Sequence, residues 1–179
     1  MMKGNSNSSK IKIIIIVLIL ITAAAIGVTI WALFFRGKEE PVLAPDYAPQ
    51  EEEQYAEDIP DDEGEKLESP EGGGSVSLTY SREVSIDLGE RKAELHFGNP
   101  GKSNQDMVIQ IVIQDNVIVQ SGTLKPGKQV NSLELLADAE DKLTAGTYDG
   151  RFNILYYDQE TGEKAIVNTE IPITVDVAE

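Results

Sequence analysis

Residues 13–35, IIIIVLILITAAAIGVTIWALFF, form a run of twenty-three residues without a charge. A helix rises about 1.5 Å per residue, so the run is long enough to cross a hydrocarbon core roughly 30 Å thick. Inside a bilayer a single segment satisfies its backbone only as a helix. Ala23, Ala24 and Ala25 follow an apolar stretch and offer small residues to a signal peptidase. The run then continues to Phe35 instead of turning polar, so the expectation is an uncleaved signal anchor over 13–35. Lys3, Lys10 and Lys12 precede it and Arg36 and Lys38 follow. That bias puts residues 1–12 in the cytoplasm as a short tail and the rest outside the cell membrane. Trp31, Phe34 and Phe35 suit the far interface, and Ala23 with Gly27 forms a small-xxx-small pair suited to weak helix-mediated self-association.

Charge divides the remainder. Residues 36–74 carry fourteen acids against three bases, and residues 75–179 carry seventeen against nine. The first of these segments also holds prolines at 41, 45, 49, 60 and 70 and a glycine triplet at 72–74. Such a composition buries too little apolar surface to offset ordering, so 36–74 is expected to be a disordered, self-repelling acidic stalk. An acidic chain repels phosphates, which argues against nucleic acid as a partner. Cysteine is absent, which removes disulfides and thiolate ligands.

From Ser75 the pattern becomes period-two alternation between turns. Val76, Leu78 and Tyr80 alternate, then Val84, Ile86 and Leu88, then Ala93, Leu95 and Phe97. DMVIQIVIQ and VIVQSG flank Asp115-Asn116, read as a two-residue hairpin turn, and VNSLELL follows a Pro-Gly turn. ADAEDKLTAG reads as a connection with one helical turn, and TYDGRFNILYYD and KAIVNTEIPITVDV as the arms of a last hairpin. Seven or eight short strands over about a hundred residues predict an all-β fold, an antiparallel β-sandwich over 75–179. LTAGTYDGRFNILYY resembles the corner that enters the penultimate strand of immunoglobulin-like and fibronectin type III domains, and the resemblance implies that Tyr148 is the corner tyrosine. The chain has no cysteine pair, and its sole tryptophan lies in the apolar run. The arrangement of anchor, acidic stalk, PEGGGSVSLTYS and LHFGNPGKSNQDMVIQIVIQ also resembles small uncharacterised envelope proteins of anaerobic Gram-positive bacteria, which implies a location and no activity.

Chemistry is sparse. His96 is the only histidine, and its parity in KAELHF places it on the solvent face, without a partner for zinc or for nucleophilic catalysis. No GxSxG, SxxK or glycine-rich phosphate loop occurs. DIPDDEGE and YYDQETGE cluster acids, but the first lacks the alternation of a calcium loop and the second reads as a hairpin tip. No catalytic residue, cofactor or metal ligand is therefore assigned.

One strand stands out. Met107, Ile109, Ile111 and Ile113 form one side of DMVIQIVIQ, while Val108, Gln110, Val112 and Gln114 form the other. With a turn at Asp115-Asn116, Val117 and Val119 join that second face. A face of this kind is either covered by a neighbouring segment or open to a partner. The expectation is a non-catalytic, membrane-anchored binding or assembly module. The alternative is an accessory scaffold subunit of a secretion or conjugation machine, and behind it a carboxylate-based hydrolase.

Overall fold

A computed structural model of the chain describes residues 6–35, 43–62, 65–68 and 74–179. It divides into two compact units, Met1–Glu40 and Pro41–Glu179.

The first unit holds α1, Ser6–Phe35. At about 1.5 Å per residue this thirty-residue helix is ~45 Å long. From Ile11 to Thr29 every side chain is exposed, and apolar residues occupy all sides of the helix rather than a stripe. An apolar surface without a polar face suits lipid and not the rim of a soluble core. Thr22 and Thr29 do not break the pattern, because their hydroxyls donate to the carbonyls of Leu18 and Ala25, both at 2.9 Å.

The second unit is an immunoglobulin-like β-sandwich. Its strands are β1 (Glu57–Asp58), β2 (Thr79–Tyr80), β3 (Glu83–Asp87), β4 (Lys92–Asn99), β5 (Gln105–Ile113), β6 (Asn116–Gln120), β7 (Lys128–Glu134), β8 (Gly146–Asp158) and β9 (Thr169–Ala178), with one helical turn, α2 (Ala139–Lys142). The hydrogen-bonded order is β1-β7-β4-β3-β9-β8-β5-β6, with β2 added on β4. Strand β3 joins the two layers: it runs antiparallel to β4 and parallel to β9, the one departure from antiparallel pairing among these strands.

Alternation explains which sides face inward. Val84 and Ile86 of β3, Ala93, Leu95 and Phe97 of β4, and Ile171, Ile173, Val175 and Val177 of β9 are buried, with exposed or half-buried residues between them. Phe97 and Phe152 of β8 meet edge to face with ring centroids 5.5 Å apart, tying one layer to the other. Pro172 is tolerated in β9 for a local reason. The backbone N–H of Thr174, on the same side of the strand, donates to Arg82 at 2.9 Å, and the pairing with β3 begins only at Thr174. The donor that Pro172 lacks would have faced no partner there.

The structure corrects the expected boundary of the domain. Residues 43–62, read as stalk, lie along the sandwich, and β1 belongs to this segment. The physical reason is that backbone hydrogen bonds and close approach, not apolar periodicity, hold it. Residues 36–42, 63–64 and 69–73 of the expected stalk lie outside the described residues.

Candidate interaction face and the strap that covers it

Strand β5 lies between β6 and β8, so both of its sides are packed. Met107, Ile109, Ile111 and Ile113 enter the main core. On the opposite side Val108, Leu155 and Tyr157 form a small second cluster, and Ala44 and Ala48 of the 43–62 segment pack on it. Gln110 is 2% exposed and bonded at both ends: it donates to the Gln120 side-chain oxygen at 2.7 Å and accepts from the Asn153 amide at 2.7 Å. The backbone N–H of Ala44 reaches the same Gln120 oxygen at 3.4 Å. A polar ladder thus crosses three strands and ends on the covering segment. Val112 is buried, Val117 half-buried and Gln114 exposed in the turn.

Val119 does not lie on this face. The register shifts between Ile111 and Val112, pairing Ile111 with Val119 and Val112 with Val117, so Ile118 is the extra residue. A bulge reverses the parity of the strand, and both Ile118 and Val119 enter the main core. The turn is also one residue earlier than Asp115-Asn116. Ile113 pairs with Asn116, and Gln114 and Asp115 hold the two positive φ angles, 48° and 62°, of a type I′ turn.

The covering segment, here called the strap, runs from the β8–β9 turn over the β6–β7 connection to the edge of β7. Tyr157 donates its hydroxyl to the Pro45 carbonyl at 3.0 Å, and Thr123 Oγ1 donates to the Pro49 carbonyl at 2.7 Å. Glu53 N–H donates to Thr123 O at 3.0 Å and Thr123 N–H to Glu51 O at 3.1 Å. Prolines cost nothing at 45 and 49, because these positions are used as acceptors. The Glu53 carboxylate is buried and accepts from the backbone N–H of Gly122 at 2.7 Å and of Tyr55 at 3.0 Å. Glu52 pairs with Lys125, and Asp58 with Lys128 at 2.7 Å. The hydrogen bond and charge of Lys125 hold the Glu52 carboxyl below its ordinary range and raise the lysine in turn. Burial, with the Asp46 carboxylate adding to it, pushes the Tyr157 phenol up to about 12.

The other residues singled out in the sequence have structural partners. His96 is half-buried and its Nδ1 lies 3.0 Å from Asn131 Oδ1; the Asn131 amide donates to Glu57 of the strap at 3.3 Å. Asp158 accepts from the backbone N–H groups of Glu160 and Thr161, which lower its carboxyl and shape the hairpin tip at Gly162. Asp62 accepts from Gly101 N–H, while residues 63–64 of DIPDDEGE are outside the described residues. Among the described residues no group of three or more histidines or acids is arranged to hold a metal ion. Tyr148 donates its hydroxyl to the Thr144 carbonyl at 2.8 Å.

Sequence reasoning missed the strap, and one signal pointed to it. Gly98 lies within β4 and Gly122 just after β6, and a glycine in or beside a strand often marks the close approach of another backbone. A Cβ on Gly122 would sit 3.0 Å from the Glu51 carbonyl and from Glu53 Cα, while one on Gly98 would first meet Thr79 Oγ1 of β2 at 2.7 Å and then Ile59 of the strap at 3.2 Å.

No family model matches the chain, and no curated protein matches its sequence. Among solved structures it is similar to the periplasmic chaperone SfaE, at 14% identity and a TM-score of 0.34, covering 59% of this chain and 58% of that one. It is also similar to AggA, the major subunit of aggregative adherence fimbriae type I from Escherichia coli, at 9% identity and a TM-score of 0.32, covering 63% of this chain and all of that one. The CooA pilin subunit from enterotoxigenic Escherichia coli follows at 15% identity and a TM-score of 0.26, covering 58% and 99%. At these scores nothing of those proteins' roles transfers to this chain.

Proposed function

We propose that the chain is a single-pass, membrane-anchored binding or assembly module whose sandwich lies outside the cytoplasm and performs no catalysis. The observation that carries this reading is the pairing, in one chain, of a helix apolar on every side from Ile11 to Thr29 with a β-sandwich. The anchor keeps the domain at the membrane, and the sandwich presents its surface to another envelope component. The excess of lysines before the helix sets the N-terminus inside.

The test is protease treatment of spheroplasts producing the full chain with a C-terminal epitope. The epitope is expected to disappear while a cytoplasmic marker survives. An epitope that is lost only after lysis overturns the reading.

A further inference from the structure

We propose that the strap, residues 43–62, is a tethered occupant of a peptide groove on the sandwich, and that the groove takes an acidic peptide supplied by a partner when the strap lets go. This rests on the reading of the sandwich as a binding module and names the chemistry of what it binds.

Four observations carry it. First, the main core closes without the strap: its buried members all come from residues 84–177, and the strap adds only the partly buried Ala56. The strap therefore sits on a finished fold, as a ligand does. Second, the groove engages the strap's backbone at several separate points. Beyond the bonds at Thr123, Ala48 N–H donates to Gly162 O at 2.8 Å, Lys164 N–H donates to Asp46 O at 2.9 Å, and Ile59 N–H donates to Gly127 O at 2.9 Å, with a turn at Ala56 N–H to Glu53 O and positive φ at Ala44 and Asp61 between and around these points. Main-chain hydrogen bonds supply affinity, and side-chain pockets add selection. Third, selection is visible. The cluster of Val108, Leu155 and Tyr157 receives alanines, while Lys125, Lys128 and the Gly122 and Gly101 amides receive carboxylates. The strap has eight acids and no base. Fourth, Gly122 has no positive φ that would require glycine, yet its missing Cβ is what lets residues 51–53 approach.

A short tether supplies its own segment at an effective concentration on the order of millimolar. A free peptide with a Kd of ~10 μM would then bind the intact chain about a hundredfold more weakly than a chain whose strap is gone. The experiment uses the full chain in detergent micelles with residues 43–62 replaced by a glycine-serine segment of equal length, and a fluorescein-labelled synthetic peptide of sequence 43–62. The replaced chain is expected to bind the peptide saturably by anisotropy, the wild type far more weakly, and the replaced chain carrying Gly122→Val not at all. Equal binding of a scrambled peptide overturns the proposal, because charge alone would then suffice. Absence of saturable binding by a folded replaced chain also overturns it, and so does a replaced chain that loses its far-ultraviolet β signal. Hydrogen exchange on the wild type gives a second measurement: the Gly122 and Thr123 amides should exchange about a hundredfold or more faster than that of Ile109, by local opening. Exchange of all three at one rate makes the strap part of the core and overturns the proposal. None of these outcomes bears on the spheroplast result, so failure of the groove and failure of the anchored module remain distinguishable.

Discussion

A single hydroxyl fixes the entry into β8. Tyr148 donates to the Thr144 carbonyl and lies 3.3 Å from the Thr144 N–H, which closes a turn whose Gly146 has φ 152°. Tyr148→Phe should leave the fold unchanged and lower the urea midpoint. Thr144→Ala keeps both backbone partners and should lower it less, so the order of the two midpoints is the check. The interior is less forgiving. Phe97 is fully buried between Tyr80 and Phe152, and Phe97→Ala removes the ring that joins the layers. Truncations of this type cost about 3–5 kcal/mol, a large share of the 5–15 kcal/mol that typically holds a domain. Equilibrium urea unfolding should show that loss at an unchanged slope.

Elements were legible where burial imposes a period. The alternation in β3 and β4 showed both the strands and their inward side, while the doubly apolar pattern of β5 left open whether its second face is covered or free, which the structure answers with the strap. The β5–β6 turn was misplaced by one residue because asparagine and aspartate mark positive φ in sequence, whereas here a glutamine occupies one of the two positions. Gln114→Gly should therefore stabilise the hairpin by about 0.5–1 kcal/mol, and Gln114→Val should destabilise it, both read from urea midpoints. The bulge at Ile118 had no local signal, since an extra apolar residue looks like any other. The strap was illegible for a different reason: its proline and acid content is that of an unfolded segment, and the groove that orders it is assembled from residues 98–164, distant in sequence. Its hold has a pH signature. The Tyr157 phenol, up to about 12 when folded against an ordinary value of 10, binds its proton more tightly in the native state. Its contribution is complete below about pH 10 and is lost as pH rises from 10 toward 12, because the unfolded chain loses the proton first. The phenolate also cannot donate to Pro45. Urea midpoints should fall across that window, and Tyr157→Phe should flatten the fall.

At the scale of the whole molecule, the sequence shows an apolar helix, an acidic segment and a sandwich, but the partner depends on contacts no composition records. The proposed anchoring by the helix can be weighed. Residues 11–29 contain eight isoleucines, two leucines and two valines, and their exposed side chains leave no polar face to hide. At about −0.3 to −0.6 kcal/mol for each, these twelve contribute roughly −4 to −7 kcal/mol to insertion. One arginine at the centre costs about 2.5–3.5 kcal/mol. Leu20→Arg alone should leave the full chain in the membrane fraction after alkaline carbonate extraction. Adding Ile16→Arg, one turn away, brings the cost to the size of the gain, and the double variant should move to the soluble fraction. Retention of the double variant would mean that something other than this helix, such as an envelope component gripping the sandwich, keeps the protein at the membrane.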